Sequence, residues 1–181
     1  MKFTKKSLGQ NFLIDKNIIK KIINSVNIKN RNIIEIGPGR GALTDEILRR
    51  KPKTLSVIEK DINLAKYLRD KYENSKILKI YTNDILNFDL EKITKKRSVI
   101  FGNLPYNISS QILVKILKFN KWPPRFDDLV FMFQKELAEK ILGKYLSPNY
   151  GRLSILTNYR LKYHQKFLVS QNCFFPKPKV M

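Results

Sequence analysis

The chain has one cysteine, Cys173, and one histidine, His164. That leaves too few ligands for a disulfide framework or a structural zinc site, and it suits a reducing, cytosol-type compartment. Long apolar runs are missing as well. The longest wholly apolar stretch is 129–133, far below the roughly 18 residues that cross a bilayer, and no apolar stretch of signal-peptide length opens the chain. A cytoplasmic, unexported, monomeric protein without metal or membrane is expected. Carboxylates are scarce: 15 Asp and Glu stand against 36 Lys and Arg, a formal charge of +21. In a domain of 181 residues this imbalance spreads a positive field over much of the surface and points to nucleic acid as the partner. An anionic membrane surface would use the same charge, but no long basic amphipathic helix is present.

With 43% hydrophobic residues, the chain can bury the core of one domain. Apolar runs of strand length fall at 32–36, 54–59, 76–81, 98–102 and 129–134, with helically spaced segments at 41–50, 62–72, 109–119 and 135–142. Their alternation predicts an α/β fold, a mostly parallel sheet covered by helices on both faces. Segment 16–26, apolar at Ile18, Ile19, Ile22, Ile23 and Val26, reads as a helix laid against the sheet. Segment 152–161 is amphipathic and leads into a strand expected at 163–169. Residues 120–128 and 147–152 read as loops, and the prolines after Cys173 argue against regular structure there.

Residues 35–41 read Glu-Ile-Gly-Pro-Gly-Arg-Gly where a strand turns into a helix, and glycines at 37, 39 and 41 let the backbone approach a ligand that a Cβ would exclude. Glu59, ending the second strand, can accept both hydroxyls of a ribose. Asp84, after the third, can accept from an adenine amino group or cap a turn. A glycine-rich first turn followed by acids at successive strand ends predicts a nucleoside-containing cofactor at the carboxyl edge of the sheet. These residues leave NAD and S-adenosylmethionine both open.

Residues 101–107, Phe-Gly-Asn-Leu-Pro-Tyr-Asn, narrow the choice. Asn103 offers a side-chain carbonyl, Leu104 a backbone carbonyl stiffened by Pro105, and Tyr106 a flat face for stacking. Together they form a clamp for an amino group. The lone pair of an exocyclic adenine amine is delocalised into the ring, and two acceptors on its N–H groups draw the nitrogen toward tetrahedral geometry. A methyl sulfonium is already activated, so no strong base is needed.

With this motif in place, the chain resembles the ribosomal RNA adenine N6,N6-dimethyltransferases, specifically the small-subunit, kasugamycin-resistance type. The matching pieces run from about Lys6 to Val180: 8–15, 35–41, 57–61, 83–85, 103–106, 133–136, 150–154 and 174–180. The resemblance implies a Rossmann-like class I methyltransferase fold using S-adenosyl-L-methionine, with residues 1–30 covering the cofactor and 31–181 forming the core. It implies that Asn11 and Leu13 close over the cofactor, that Gly37 lines its amino-acid end, that Gly39 also binds the cofactor, and that Glu59 holds the ribose and Asp84 the adenine. Asn103 would touch cofactor and target amine, and Tyr106 and Phe174 would sandwich a flipped base, with Phe175 able to exchange roles with Phe174. Lys2, Lys5, Lys6, Lys177 and Lys179 would hold phosphates or remain solvated. The implied substrate is small-subunit rRNA in the immature small subunit; the macrolide-resistance enzymes of large-subunit rRNA and a largely non-catalytic assembly factor are the alternatives. Family members continue into a last antiparallel strand and a small helical domain, so the chain is expected to be a truncated form with an exposed edge at 163–169.

Overall fold

In the computed structural model, which describes residues 11–178, the alternating pattern becomes a five-stranded parallel sheet between two layers of helices. The described chain runs β1 (Phe12–Leu13), α1 (Lys16–Ile23), β2 (Asn32–Ile36), α2 (Ala42–Arg49), β3 (Thr54–Glu59), α3 (Ile62–Lys71), β4 (Leu78–Thr82), α4 (Leu90–Ile93), β5 (Ser98–Asn103), α5 (Ser109–Leu117), β6 (Phe126–Met132), α6 (Lys135–Ile141), α7 (Arg152–Arg160) and β7 (Phe174–Phe175). The sheet order is β4-β3-β2-β5-β6, every pair parallel.

The central strands are β-branched and buried on both sides, as a parallel sheet requires. Alternation then sends neighbours to opposite layers. Ile33, Leu55, Val57, Val99 and Phe101 pack with α1 and α2, whereas Ile34, Ile36, Ile58 and Ile100 pack with Ile112 and Ile116 of α5. A third cluster joins α5, α6 and α7 through Leu113, Leu117 and Ile141. Helix starts follow local chemistry: Asp15 accepts from the amides of Asn17 and Ile18 at 2.8 and 2.9 Å, and Asp61 caps α3 from Asn63 and Leu64 at 2.8 and 3.3 Å.

Three expectations are corrected. Residues 161–170 have no regular structure, so the strand at 163–169 is not formed. A strand needs a partner for its backbone groups, and none of the described strands pairs with this segment. Phe167 and Val169 pack partly against the α1 layer, while Tyr163 and Leu168 are exposed. Second, the stretch after Cys173 is not wholly irregular: Phe174 and Phe175 precede the prolines and pair antiparallel with Leu13 and Phe12. Third, β6 begins at Phe126, which shortens the loop expected over 120–128.

Candidate active site

β2 pairs with β3 on one side and with β5, reached by a crossover, on the other. The loops at their carboxyl ends therefore leave in opposite directions and open a crevice. The cavity there is lined by every cofactor-binding residue expected from the sequence, Asn11, Leu13, Gly37, Gly39, Glu59, Asp84 and Asn103, together with Leu104, Pro105 and Tyr106.

The first loop is held by backbone geometry. Gly37, Gly39 and Gly41 have φ of 68°, 58° and 84°, and the Gly37 amide donates to the Ile58 carbonyl at 2.9 Å. At Gly39 the left-handed conformation excludes most side chains, and a Cβ there would come within 3.0 Å of the Phe12 ring. Phe12 is itself covered by Arg40, whose guanidinium carbon lies 4.9 Å from the ring centroid. The short β1 strand thus lays Phe12 over the glycine loop.

Three carboxylates meet this cavity in three environments. Glu35 is buried and accepts from the Thr44 hydroxyl at 2.7 Å; burial pushes its carboxyl up to about 8, so the neutral form prevails at pH 7. Glu59 is buried too, and burial raises it, opposed by hydrogen bonds that favour the charged form. Its two oxygens accept from the amides of Asp61 at 2.9 Å and Gly39 at 3.1 Å. Asp84 stands nearer solvent, paired with Lys60 Nζ at 2.7 Å and accepting from the Leu86 amide at 3.0 Å. The Lys60 ammonium holds it below the ordinary carboxylate range. Asp61, although acidic and close in sequence, serves as the α3 cap.

At the end of β5, Asn103 Nδ2 donates to the Asn11 carbonyl at 3.0 Å, which leaves Oδ1 as the free acceptor of that amide. The carbonyls of Pro105 and Tyr106 accept turn hydrogen bonds from the Ile108 amide and the Ser109 hydroxyl, both at 3.2 Å; the Leu104 carbonyl accepts neither. The Leu104 side chain is buried in the core and anchors the turn. Tyr106 is half-buried, and its phenol is raised by that burial.

Phe174 sits apart from the other expected site residues. Its ring is 9% exposed, belongs to the core cluster with Leu13 and Cys173, and does not line the cavity. Its neighbour Phe175 is 59% exposed, because successive residues of a strand face opposite ways. Lys177 is exposed and is not among the lining residues. Lys2, Lys5, Lys6 and Lys179 lie outside the described residues, as do positions 8–10 of the first matching piece.

Sequence reasoning did not single out Phe12, Lys60 or the proton on Glu35. Phe12 and Lys60 were signalled only by adjacency, one between Asn11 and Leu13, the other between Glu59 and Asp61. Nothing in a one-dimensional pattern reports how dry Glu35 is. Among the described residues no cluster of three or more His, Cys, Asp or Glu could hold a metal ion, and no helix is long and apolar enough to cross a membrane.

Comparison with known proteins places this geometry in context. The family model described as "Ribosomal RNA adenine dimethylase" matches residues 1–181. A ribosomal RNA small subunit methyltransferase A from Pelagibacter ubique is 46% identical over 179 residues, covering 97% of this chain and 66% of that protein. The chain thus spans about two thirds of the length of such curated relatives. Among solved structures, a dimethyladenosine transferase from Plasmodium falciparum superposes with a TM-score of 0.81 at 32% identity, over 93% of this chain and 60% of that one. The 23S rRNA methyltransferase ErmE superposes at 0.75 with 29% identity, over 94% and 66%.

Proposed function

The chain belongs to the ribosomal RNA adenine dimethylase family, and from that premise we propose that it is an S-adenosylmethionine-dependent enzyme that dimethylates N6 of adjacent adenosines near the 3′ end of small-subunit rRNA. It acts in the cytoplasm on the immature small subunit, as a monomer, with residues 1–30 covering the cofactor and residues 31–181 forming the catalytic core. The observation that carries this reading is the turn from Asn103 to Tyr106, which shares one cavity with the glycine loop and the buried Glu59.

S-adenosylmethionine suits the residues present. Gly37 and Gly39 leave room along the loop, Glu59 keeps lone pairs beyond the two amides it accepts from, and Ile58, Ile85 and Leu86 give the cavity apolar walls for a purine. In this reading Gly37 and Gly39 line the amino-acid end, Glu59 holds the ribose hydroxyls, Asp84 receives the adenine amine, and Asn11 and Leu13 close the site. When bound, the cofactor supplies an electrophilic methyl group on a sulfonium. Asn103 Oδ1 and the Leu104 carbonyl accept the two N–H groups of the target amine, draw its nitrogen toward tetrahedral geometry and free its lone pair for methyl transfer. Pro105 fixes that carbonyl. Tyr106 stacks on the flipped base, and stacking offsets the few kcal/mol that extrusion costs. Phe174 or its exposed neighbour Phe175 takes the opposite face of the base, although neither is among the residues that line the cavity. The proton passes to solvent after transfer, so no side-chain base is required.

The likeness to ErmE at 29% identity favours large-subunit rRNA as a second reading, but the small-subunit relative from Pelagibacter ubique stands at 46%. The test is methyl transfer from labelled S-adenosylmethionine to immature small subunits and, separately, to 23S rRNA. The expected result is two methyl groups per target adenosine on the small subunit and a drop on the order of 10²- to 10³-fold in Asn103→Ala, by analogy with removing one transition-state hydrogen-bond partner. Equal incorporation by wild type and Asn103→Ala overturns the mechanism; incorporation into 23S rRNA alone selects the second reading.

A further inference from the structure

Charge is distributed unevenly along the chain. All 15 Asp and Glu lie at or before Glu139, while residues 141–181 hold seven Lys or Arg, no carboxylate side chain and four of the eight tyrosines. In the earlier part of the chain cations such as Arg31, Arg50 and Lys71 find acidic partners. Among the described residues Lys144, Arg152, Arg160, Lys162 and Lys166 form no ion pair.

The same stretch exposes large rings. On α7 the inward side is set by Ser154 and Thr157, both buried, with Leu153 and Leu156 against the α5–α6 cluster. Arg152, Ile155 and Tyr159, spaced three and four apart, therefore share the outer face, where Tyr159 is 81% exposed. In the preceding loop Tyr145 is 75% exposed, and its ring stands edge-on to Tyr150 at 5.7 Å and 90°. The loop is tied to the helix by Asn158 Nδ2 donating to the Gly143 carbonyl at 3.5 Å. Arg160 lies over Trp122 at 4.4 Å and against Tyr159 at 5.8 Å, and its Nε is buried with no hydrogen-bond partner.

Exposed rings held by neighbours cost hydration free energy and contribute nothing to the core, so they mark a contact surface. Unpaired cations beside them match phosphates, and flat rings match bases. Bases in a duplex are already stacked and out of reach of such rings, so the complementary partner is a strand with unpaired nucleotides. We propose that the outer face of α7 and the loop before it form a docking track for unpaired nucleotides of the RNA substrate, with Tyr145 and Tyr159 as stacking platforms and Arg152 as a phosphate contact. The proposal deepens the reading above and rests on its RNA substrate, but not on the chemistry at Asn103.

The test is fluorescence anisotropy with a labelled oligouridylate and a labelled RNA duplex of equal length. Tyr145→Ala/Tyr159→Ala is expected to weaken binding of the single strand about tenfold or more, given the value of base–aromatic stacking, while Tyr145→Phe/Tyr159→Phe keeps wild-type affinity. Arg152→Gln is expected to reduce the slope of log affinity against log salt by about 0.7. Calorimetric titration of each variant with S-adenosylhomocysteine is expected to match wild type, which reports an intact fold and cofactor site. Unchanged single-strand affinity in the double alanine variant overturns the proposal. So does equal affinity of wild type for strand and duplex, or a wild-type dimer in sedimentation that Tyr159→Ala dissociates, since the face would then belong to a second copy. Loss of activity in Asn103→Ala with unaltered anisotropy leaves the docking track standing, so the two readings fail separately.

Discussion

At the carboxyl edge of the sheet each carboxylate is answered by a named donor: Glu35 by Thr44, Glu59 by the amides of Gly39 and Asp61, Asp84 by Lys60 and the Leu86 amide. On the flank built from residues 141–178 the balance is reversed, with cations that meet no acid and tyrosines that face water. The difference reflects the size of what each region would hold. A small cofactor is positioned by groups fixed before it arrives, so its site is built from left-handed glycines, buried acids and the clipped β1 strand. A flexible polyanion is held by many weak, sequence-tolerant contacts, which need open rings and free cations.

Substitutions can break or sharpen this contrast, and the largest effect is expected at Glu35. Its carboxyl, ordinarily near 4.5, sits at about 8 in the fold. The native state therefore keeps a proton that the unfolded chain has released, and stability falls as pH rises between those values, by up to roughly a few kcal/mol. Glu59 is raised and adds in the same direction. Asp84 is lowered, so its contribution is present above its ordinary value near 3.8 and fades only in more acidic solution. Glu35→Gln keeps an acceptor for Thr44 and is expected to flatten the dependence. Urea unfolding at pH 5 and pH 8 checks this, and an equal pH response in wild type and variant would refute the dry environment assigned to Glu35.

A middle-sized effect is expected at Gly39. An alanine there must adopt φ near 58°, which costs about 1–2 kcal/mol, and must displace the Phe12 ring. Gly39→Ala is expected to lower the thermal midpoint and to weaken S-adenosylmethionine binding at least about tenfold in calorimetric titration. A variant that binds as tightly as wild type would show that the loop does not shape the cofactor site. The smallest effect belongs to the flank. Ile155 is 50% exposed on the outer face of α7, so Ile155→Ser is expected to shift unfolding free energy by no more than about 0.5 kcal/mol. A larger loss in urea unfolding would mean that the face is packed, and the contrast between the two regions would collapse.

The legible parts of the molecule were those written in local period. Strands β2 and β3 lie where the apolar runs predict them, and α2, α3 and α5 fall within a residue or two of the expected bounds. Segment 163–169 has the same composition as a strand, yet no described strand pairs with it and it stays irregular. The β1–β7 pair was illegible for the opposite reason: two residues at each end carry no period, and their pairing joins positions more than 160 apart. The short α4 also escaped notice, since one turn capped by Asp89 leaves no amphipathic stripe.

The candidate site divides along the same line. The sequence by itself determined that glycines, two strand-end acids and the Asn103–Tyr106 turn would meet at one edge of a parallel sheet, because strand period and crossover handedness leave few other arrangements. Tertiary structure alone decided which of two adjacent phenylalanines enters the core, that Asn11 ties down the Asn103 amide, that Lys60 answers Asp84, and that Glu35 retains its proton. Each of these depends on distance and dielectric among residues far apart in the chain, and no local pattern of residues encodes either quantity.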